Sequence, residues 1–115
     1  MQRDDAYLLD ILESARTALR YVSSKMLDDF RNDMLCQDAV IHRLEIIGEA
    51  ASKVSLQTRQ KYPSIPWQAM KSTRNVAIHQ YDSIEIDVIW DIVQKDLPEL
   101  VSTLEKIVPP EEELS

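Results

Sequence analysis

The sequence predicts an all-α protein, an antiparallel bundle of four main helices joined by short helical segments. Three long stretches carry apolar residues at spacings of three and four, which is the period of an amphipathic helix. We assign no β-strand from the pattern of apolar and polar residues. The chain has 115 residues, 44% of them apolar, and this size suits one core. We therefore predict one helical domain over residues 1–108 and an acidic, disordered tail over residues 109–115.

The first two main helices are predicted from their apolar repeats. The first spans residues 5–26 and opens near Asp4 or Asp5, since either carboxylate can cap a first turn. Its repeat comprises Leu8, Leu12, Ala15, Leu19, Val22 and Met26. The polar residues 28–33 follow as a connection or a short helical turn. The second main helix spans about residues 36–54, and its repeat comprises Val40, Leu44, Ile47, Ala51 and Val54.

Prolines divide the second half of the chain. A short helix over residues 55–62, capped by its first serine, is predicted to end at a break over residues 63–66 that contains two prolines. The third main helix begins there and runs toward Ile78. The fourth covers about residues 86–107, and Pro98 forces a kink or a restart within it because proline cannot continue the hydrogen-bond ladder.

Two of the helices carry a second apolar row, and this row has two interpretations. It comprises Ile11, Ala18, Ile41, Ile46 and Ala50. Apolar coverage of this width on a small bundle predicts a subunit interface, most simply that of a twofold homodimer. The alternative is a wide stripe that faces the protein's own core. We expect Trp67 and Trp90 to be core or interface residues.

The composition excludes several classes of function. A single glycine, Gly48, leaves no glycine-rich phosphate loop, and its place within a helix suggests close approach of another backbone. A lone cysteine, Cys36, cannot form an internal disulfide, so a reducing cytoplasm is the expected compartment. No apolar run approaches the ~20 residues of a membrane span. We predict a cytoplasmic protein without membrane attachment.

No metal or cofactor is predicted. His42 lies at helical spacing from three carboxylates, those of Asp38, Glu45 and Glu49. A di-metal helical bundle needs two Glu-x-x-His units, however, and the sequence has none. With two histidines and one cysteine the chain also lacks a zinc framework.

The charge of the chain is unevenly distributed. The formal net charge is −7, which argues against indiscriminate coating of nucleic acid. Residues 51–80 nevertheless contain no acidic residue and five basic ones, which are Lys53, Arg59, Lys61, Lys71 and Arg74. Such a stretch predicts a local cationic surface that attracts a polyanion. The alternative is a chance cluster of solvated side chains.

The segment from Arg74 to Tyr81 brings together a cation, an amide, a titratable base and a phenol. On an uninterrupted helix Arg74 and His79 point about 140° apart, so they converge only if the helix ends between them or if they act across a dimer axis. Turn-forming residues follow, which predicts a helix end near Ile78. The structural alternatives are that His79 caps a helix end, that Arg74 forms a surface ion pair and that Tyr81 lies at the edge of the core.

This segment has the form R-N-x-x-x-H-x-Y and resembles the signature of HEPN-domain ribonucleases, specifically the HepT-like toxins. Other parts of the chain resemble the same family in order and spacing: L-E-I-I-G-E-A-A at residues 44–51, Y-P-x-I-P-W at residues 62–67 and D-L-P at residues 96–98. Gln80 stands where the family has a small residue. The resemblance implies a HEPN-like fold and a homodimer that places two copies of the motif around a shared cleft.

The resemblance also implies metal-independent cleavage of RNA. In that role His79 is the general acid/base, Arg74 stabilises the phosphate in the transition state and Asn75 orients either one. Lys71, in the same basic stretch, is predicted to bind RNA. The chain would then be the toxin of a type VII-like toxin–antitoxin system. Its partner would be a minimal nucleotidyltransferase antitoxin that adenylylates Tyr81.

A second hypothesis belongs to another class of function. The chain is then a non-catalytic, dimeric helical binding module on a HEPN scaffold, in which Gln80 marks lost activity. A small nucleotidyltransferase in the neighbouring reading frame would favour the ribonuclease hypothesis.

Overall fold

A computed structural model describes residues 2–78 and 83–108, with side chains throughout except for residues 2, 74–78 and 83–85. These residues form helices and the turns between them, and no β-strand occurs in those two ranges. The predicted all-α class is confirmed. The tail over residues 109–115, predicted to be disordered, lies outside the described residues.

The described part of the chain contains seven α-helices and one π-helical turn. In chain order these are α1 Gln2–Val22, α2 Leu27–Arg31, α3 Met34–Lys53, α4 Leu56–Lys61, α5 Trp67–Ile78, α6 Ser83–Asp91, the π-turn Ile92–Asp96 and α7 Leu97–Glu105. Helix α3 packs against both α1 and α5, and α7 packs against α1. The short helix α2 lies against α3 and α6.

Four of the five residues of the second apolar row are buried inside the chain itself, and the fifth, Ile46, is half-buried. Ile11 and Ala18 are fully inaccessible to solvent, and Ile41 and Ala50 are each only 5% exposed. Because α3 is covered on two sides, its apolar stripe must be wide, which is the alternative that the sequence left open. Because four of its five residues pack within the chain, the row is mostly a core-facing stripe, and the homodimer stays a prediction.

Helix α1 begins earlier than predicted, and its first acidic residue has a different role. The helix starts at Gln2, so Asp4 is not an N-cap but lies within the first turn. Its carboxylate is buried and accepts hydrogen bonds from the Ser55 backbone N–H at 3.1 Å, the Ser55 hydroxyl at 2.6 Å and the Thr58 hydroxyl at 2.6 Å. These bonds hold the start of α1 against the start of α4, and they lower the pKa of Asp4.

The end of α1 also differs from the prediction. The helix ends at Val22 rather than Met26, and Met26 is extended, with φ −96° and ψ 168°, at the start of α2. Asp29 accepts a hydrogen bond from the Met26 backbone N–H at 2.9 Å, so the polar stretch forms a helical turn of its own. Phe30 within it is fully buried and anchors α2 to the core.

Pro98 is accommodated by a change of helix type. The π-turn precedes α7, with the Leu97 backbone N–H donating to the Ile92 carbonyl, and Pro98 lies in the first turn of α7. In a regular helix the proline ring would clash with the carbonyl of Gln94. The wider π-helical turn avoids this clash, so the predicted interruption is a local change of pitch within a continuous helical rod.

The hydrogen bonds from Ser55 and Thr58 to the buried Asp4 carboxylate should stabilise the folded chain. Asp4→Asn removes the charge that strengthens three hydrogen bonds in a buried place, and we expect it to lower the free energy of unfolding by about 1–3 kcal/mol at pH 7. Urea denaturation measures this difference. The matched control is Asp5→Asn on the same turn, for which we expect a change of only a few tenths of a kcal/mol.

The same hydrogen bonds predict a pH dependence. The pKa of Asp4 is lower in the folded chain than its ordinary value of 3.8, so its contribution to stability is complete above that value and is lost as the pH falls through the lowered pKa. The difference between wild type and Asp4→Asn should therefore shrink below about pH 4. A difference that stays constant between pH 7 and pH 3 would contradict this account.

Candidate functional site

Helix α5 carries three of the five residues predicted for the site. Lys71, Arg74 and Asn75 are separated by three and four positions, which places them on one stripe of the helix. The described part of α5 reaches Ile78, and α6 is described from Ser83. His79 and Tyr81 fall between these two helices and lie outside the described residues, as do the side chains of Arg74 and Asn75.

Met70 packs the inner side of α5 into the hydrophobic core, and only 4% of it is exposed. Next to it a cavity of about 240 Å³ lies between α3, α5, the π-turn and α7. Its lining includes Ile47, Thr73, Asp96, Leu97, Glu99 and Leu100. Thr73 and Lys71 are about 160° apart around the helix. Met70 also lines the cavity and is about 40° from Arg74, so the cavity with its two carboxylates borders the Arg74 edge of the stripe.

The start of α5 is held by the end of α4. The Trp67 indole N–H donates to the Tyr62 carbonyl at 3.1 Å, and both rings are half-buried against the core. The Lys61 ammonium lies 5.4 Å from the centroid of the Tyr62 ring. Trp67 thus stands one helical turn before Lys71, and its indole ties that turn to the end of α4, where Lys61 and Tyr62 lie.

Helix α6, which follows the candidate segment, is fixed by α2. The Arg31 guanidinium makes two hydrogen bonds to the Asp87 carboxylate, from Nε at 2.9 Å and from Nη2 at 2.7 Å. This pairing lowers the pKa of Asp87 and raises that of Arg31. The Phe30 and Trp90 rings pack beside it with centroids 5.3 Å apart. The helices on both sides of the segment are thus each held by side-chain contacts to other helices, α5 by Met70 and Trp67 and α6 by Asp87 and Trp90.

The basic stretch covers the end of α3, all of α4 and α5. Lys53 and Lys61 are exposed, Arg59 and Lys71 are half-buried, and the Lys53 ammonium lies 6.0 Å from the Tyr7 ring centroid. Lys53 also lines the groove between α1 and α3 together with Asp10, Glu45 and Glu49. That all the basic residues of the stretch form one cationic surface stays a prediction.

A second recess contains the histidine that the sequence set beside three carboxylates. A groove of about 240 Å³ between α1 and α3 is lined by Tyr7, Asp10, His42, Glu45, Ile46, Glu49, Ala50 and Lys53. Among residues 2–78 and 83–108, no group of three or more His, Cys, Asp or Glu side chains has an arrangement that could hold a metal ion. Within the same part of the chain, no helix is both long and apolar enough to cross a membrane.

Sequence reasoning missed the contacts that position the segment. The sequence predicts Trp67 as a core or interface residue, which its packing against the core bears out, but it does not predict the bond to the Tyr62 carbonyl and does not single out Asp87. The Arg31–Asp87 pair joins residues 56 positions apart in the chain, and no local sequence pattern predicts such a pair. For Tyr62 and Trp67 the available signal was their position at the end of one basic helix and the start of the next.

A family model and several relatives all identify the chain as similar to HepT-like ribonucleases. The family model described as Ribonuclease HepT-like matches residues 11–107. A candidate RNase of Methanocaldococcus jannaschii is 38% identical over 100 residues, which cover 87% of this chain and 92% of that one. A candidate ribonuclease HepT of Thermococcus cleftensis is 36% identical over 101 residues, covering 88% of this chain and 92% of that one.

A longer relative from Methanocaldococcus jannaschii carries a double name, gamma-glutamylcyclotransferase and candidate RNase. It is 39% identical over 102 residues, which cover 89% of this chain but 46% of the relative. No solved structure matches the chain significantly.

Proposed function

Because this chain belongs to the HepT-like ribonuclease family, we propose that it cleaves RNA without a metal ion, using the segment from Arg74 to Tyr81. The observation that carries the proposal is the family match over residues 11–107. The match covers the segment from Arg74 to Tyr81, which has the form R-x4-H-x-Y. Relatives over 30% identical along most of both chains are named as ribonucleases.

The chemistry of the side chains fits this reaction. Cleavage by attack of a ribose 2′-hydroxyl needs a base to take its proton and a cation to stabilise the charge that develops on the phosphate. A histidine has an ordinary pKa near 6.5, so His79 can take and return a proton near neutral pH. The guanidinium of Arg74 can bind two phosphate oxygens at once, with Asn75 orienting either group. Lys71, on the same stripe as Arg74, adds a contact to RNA.

We further propose that the active form is a homodimer of two four-helix bundles. Arg74 and His79 are five positions apart in the chain, and two copies of the segment around a twofold axis would supply a full set of groups to one cleft. Oligomers of identical subunits are most often twofold dimers, which makes this the simplest arrangement.

The proposed biological role is that of a toxin. A small nucleotidyltransferase antitoxin would adenylylate Tyr81 and stop the toxin. An AMP group there puts a phosphodiester two residues from His79, where its bulk and negative charge oppose the entry of RNA and compete for Arg74.

The second candidate is a non-catalytic, dimeric helical binding module. The feature that favours it is Gln80, a long side chain between His79 and Tyr81 where the family has a small residue. A long residue there would change the path of the backbone at the catalytic histidine.

Substitution of the two central residues tests the ribonuclease. His79→Ala should lower the rate of RNA cleavage by about 10²–10⁴ and Arg74→Ala by about 10²–10³, because each removes one source of transition-state stabilisation. Cleavage of a labelled RNA and growth of the expressing cells measure this effect. Circular dichroism and Tm should match wild type, and full activity in both variants would exclude the proposed roles.

Light scattering tests the homodimer. At micromolar concentration we expect twice the mass of the 13.3 kDa chain. A mixture of Arg74→Ala and His79→Ala chains should regain part of the cleavage activity if the two residues act across the dimer axis. A mass equal to that of one chain would rule the dimer out.

Tyr81→Phe tests the proposed control, since it keeps the ring and removes the oxygen that accepts AMP. Co-expression with the neighbouring nucleotidyltransferase, followed by digestion and mass spectrometry, should show AMP on wild-type Tyr81 and none on the variant. The matched controls are Tyr21→Phe and Tyr62→Phe, which should still be neutralised. Complete neutralisation of Tyr81→Phe would instead favour inhibition by complex formation.

A further inference from the structure

Two aromatic rings flanked by two lysines lead from the end of α4 along α5 toward the candidate segment. These residues are Lys61, Tyr62, Trp67 and Lys71, which we call the α4–α5 track. We propose that this track binds single-stranded RNA beyond the scissile bond, with the two rings stacking on unpaired bases and the two ammonium groups neutralising phosphates.

Direct contacts hold the first three members of the track together. Lys61 Nζ lies 5.4 Å from the centroid of the Tyr62 ring, and the Trp67 indole N–H donates to the Tyr62 carbonyl at 3.1 Å. Both rings are half-buried, so each is anchored in the core on one side and leaves the remainder to solvent. Rings held in this way can stack on a base with little loss of side-chain freedom.

Helical spacing continues the line to the candidate segment. Trp67, Lys71 and Arg74 stand at positions i, i+4 and i+7 of α5, which fall on one stripe. The rise from Trp67 to Arg74 is about 10 Å, since each residue adds about 1.5 Å. A strand bound at the segment could therefore reach the track without a bend around the bundle.

The distribution of acids favours a polyanion along this line. Residues 51–80 contain no acidic residue, although the whole chain carries a net charge of −7. The Asp4 carboxylate beneath α4 is buried and engaged by Ser55 and Thr58. The carboxylates of Asp96 and Glu99 line the cavity beside Pro66 and Met70, which none of the four track residues lines. Cations paired with aromatic rings are typical of sites for single-stranded nucleic acid.

The inference rests on the proposed ribonuclease function but is tested by binding rather than by cleavage. The probe is a fluorescein-labelled oligouridine of about 20 nucleotides, and anisotropy is measured in a His79→Ala background, which removes the proposed base. The test variants are the pair Lys61→Gln with Lys71→Gln, and Tyr62→Leu. The matched control is the pair Lys95→Gln with Lys106→Gln, which changes the net charge equally at exposed lysines outside the track.

Each variant has its own expected signature. Removal of the two track lysines should flatten the plot of log affinity against log salt concentration by about 1.4, because each phosphate contact on a single strand contributes about 0.7. The Lys95 and Lys106 control pair should leave the slope unchanged. Tyr62→Leu should weaken binding roughly tenfold without altering the slope, and Tyr62→Phe should restore it because the ring is kept.

Equal slopes for the track pair and the control pair would overturn the proposal, as would unchanged binding by Tyr62→Leu. Unchanged RNA binding together with the loss of an acidic protein partner would assign the surface to that partner instead. Cleavage of a four-nucleotide RNA by the chain with His79 intact reports separately on the ribonuclease. If that cleavage is absent while the track signatures hold, the ribonuclease proposal fails and the RNA-binding surface stands.

Discussion

Helix α3 has to bury two of its sides at once, and the placement of the other helices follows from that requirement. Its buried residues occur as adjacent pairs, such as Val40 with Ile41 and Ala50 with Ala51, so the apolar stripe is too wide for one neighbour to cover. Helix α1 covers one side and α5 the other. Gly48 and the two alanines keep the C-terminal half of α3 slim, which suits close packing from two directions.

The candidate site depends on this central packing indirectly, through the helices α5 and α6 that precede and follow it. Helix α5 is held to α3 through Met70, and its start is held by the bond between Trp67 and Tyr62. Helix α6 is held by the Arg31–Asp87 pair. The segment that bears His79 is thus bounded by two helices whose positions are set by contacts elsewhere. Catalytic groups gain most from supports that are already rigid before substrate arrives, so this arrangement suits the proposed chemistry.

Local signals predicted most of the helices, and distant contacts account for the differences. Ser55 was predicted as the cap of the short helix and does cap it, because that bond to Thr58 spans only three residues. Asp4 looked like a cap by the same logic, but its partners lie 51 and 54 residues away, where no periodicity reveals them. For the site, the sequence placed Lys71, Arg74 and Asn75 on one helix. The roles of His79 and Tyr81 came from family resemblance, since spacing alone cannot show which groups converge.

A π-helical turn holds one residue more than the α-helical turn that it replaces. Val93 within the turn and Leu97, Leu100 and Leu104 after it are all buried, so the extra residue is absorbed without turning α7 away from the core. Deleting a single residue from Ile92–Asp96 would return this stretch to α-helical pitch with the α7 leucines in their present orientation, and the ring of Pro98 would then meet the carbonyl one turn before it. The extra residue therefore makes room for the proline, and a chain shortened by one residue at this point would lose that room.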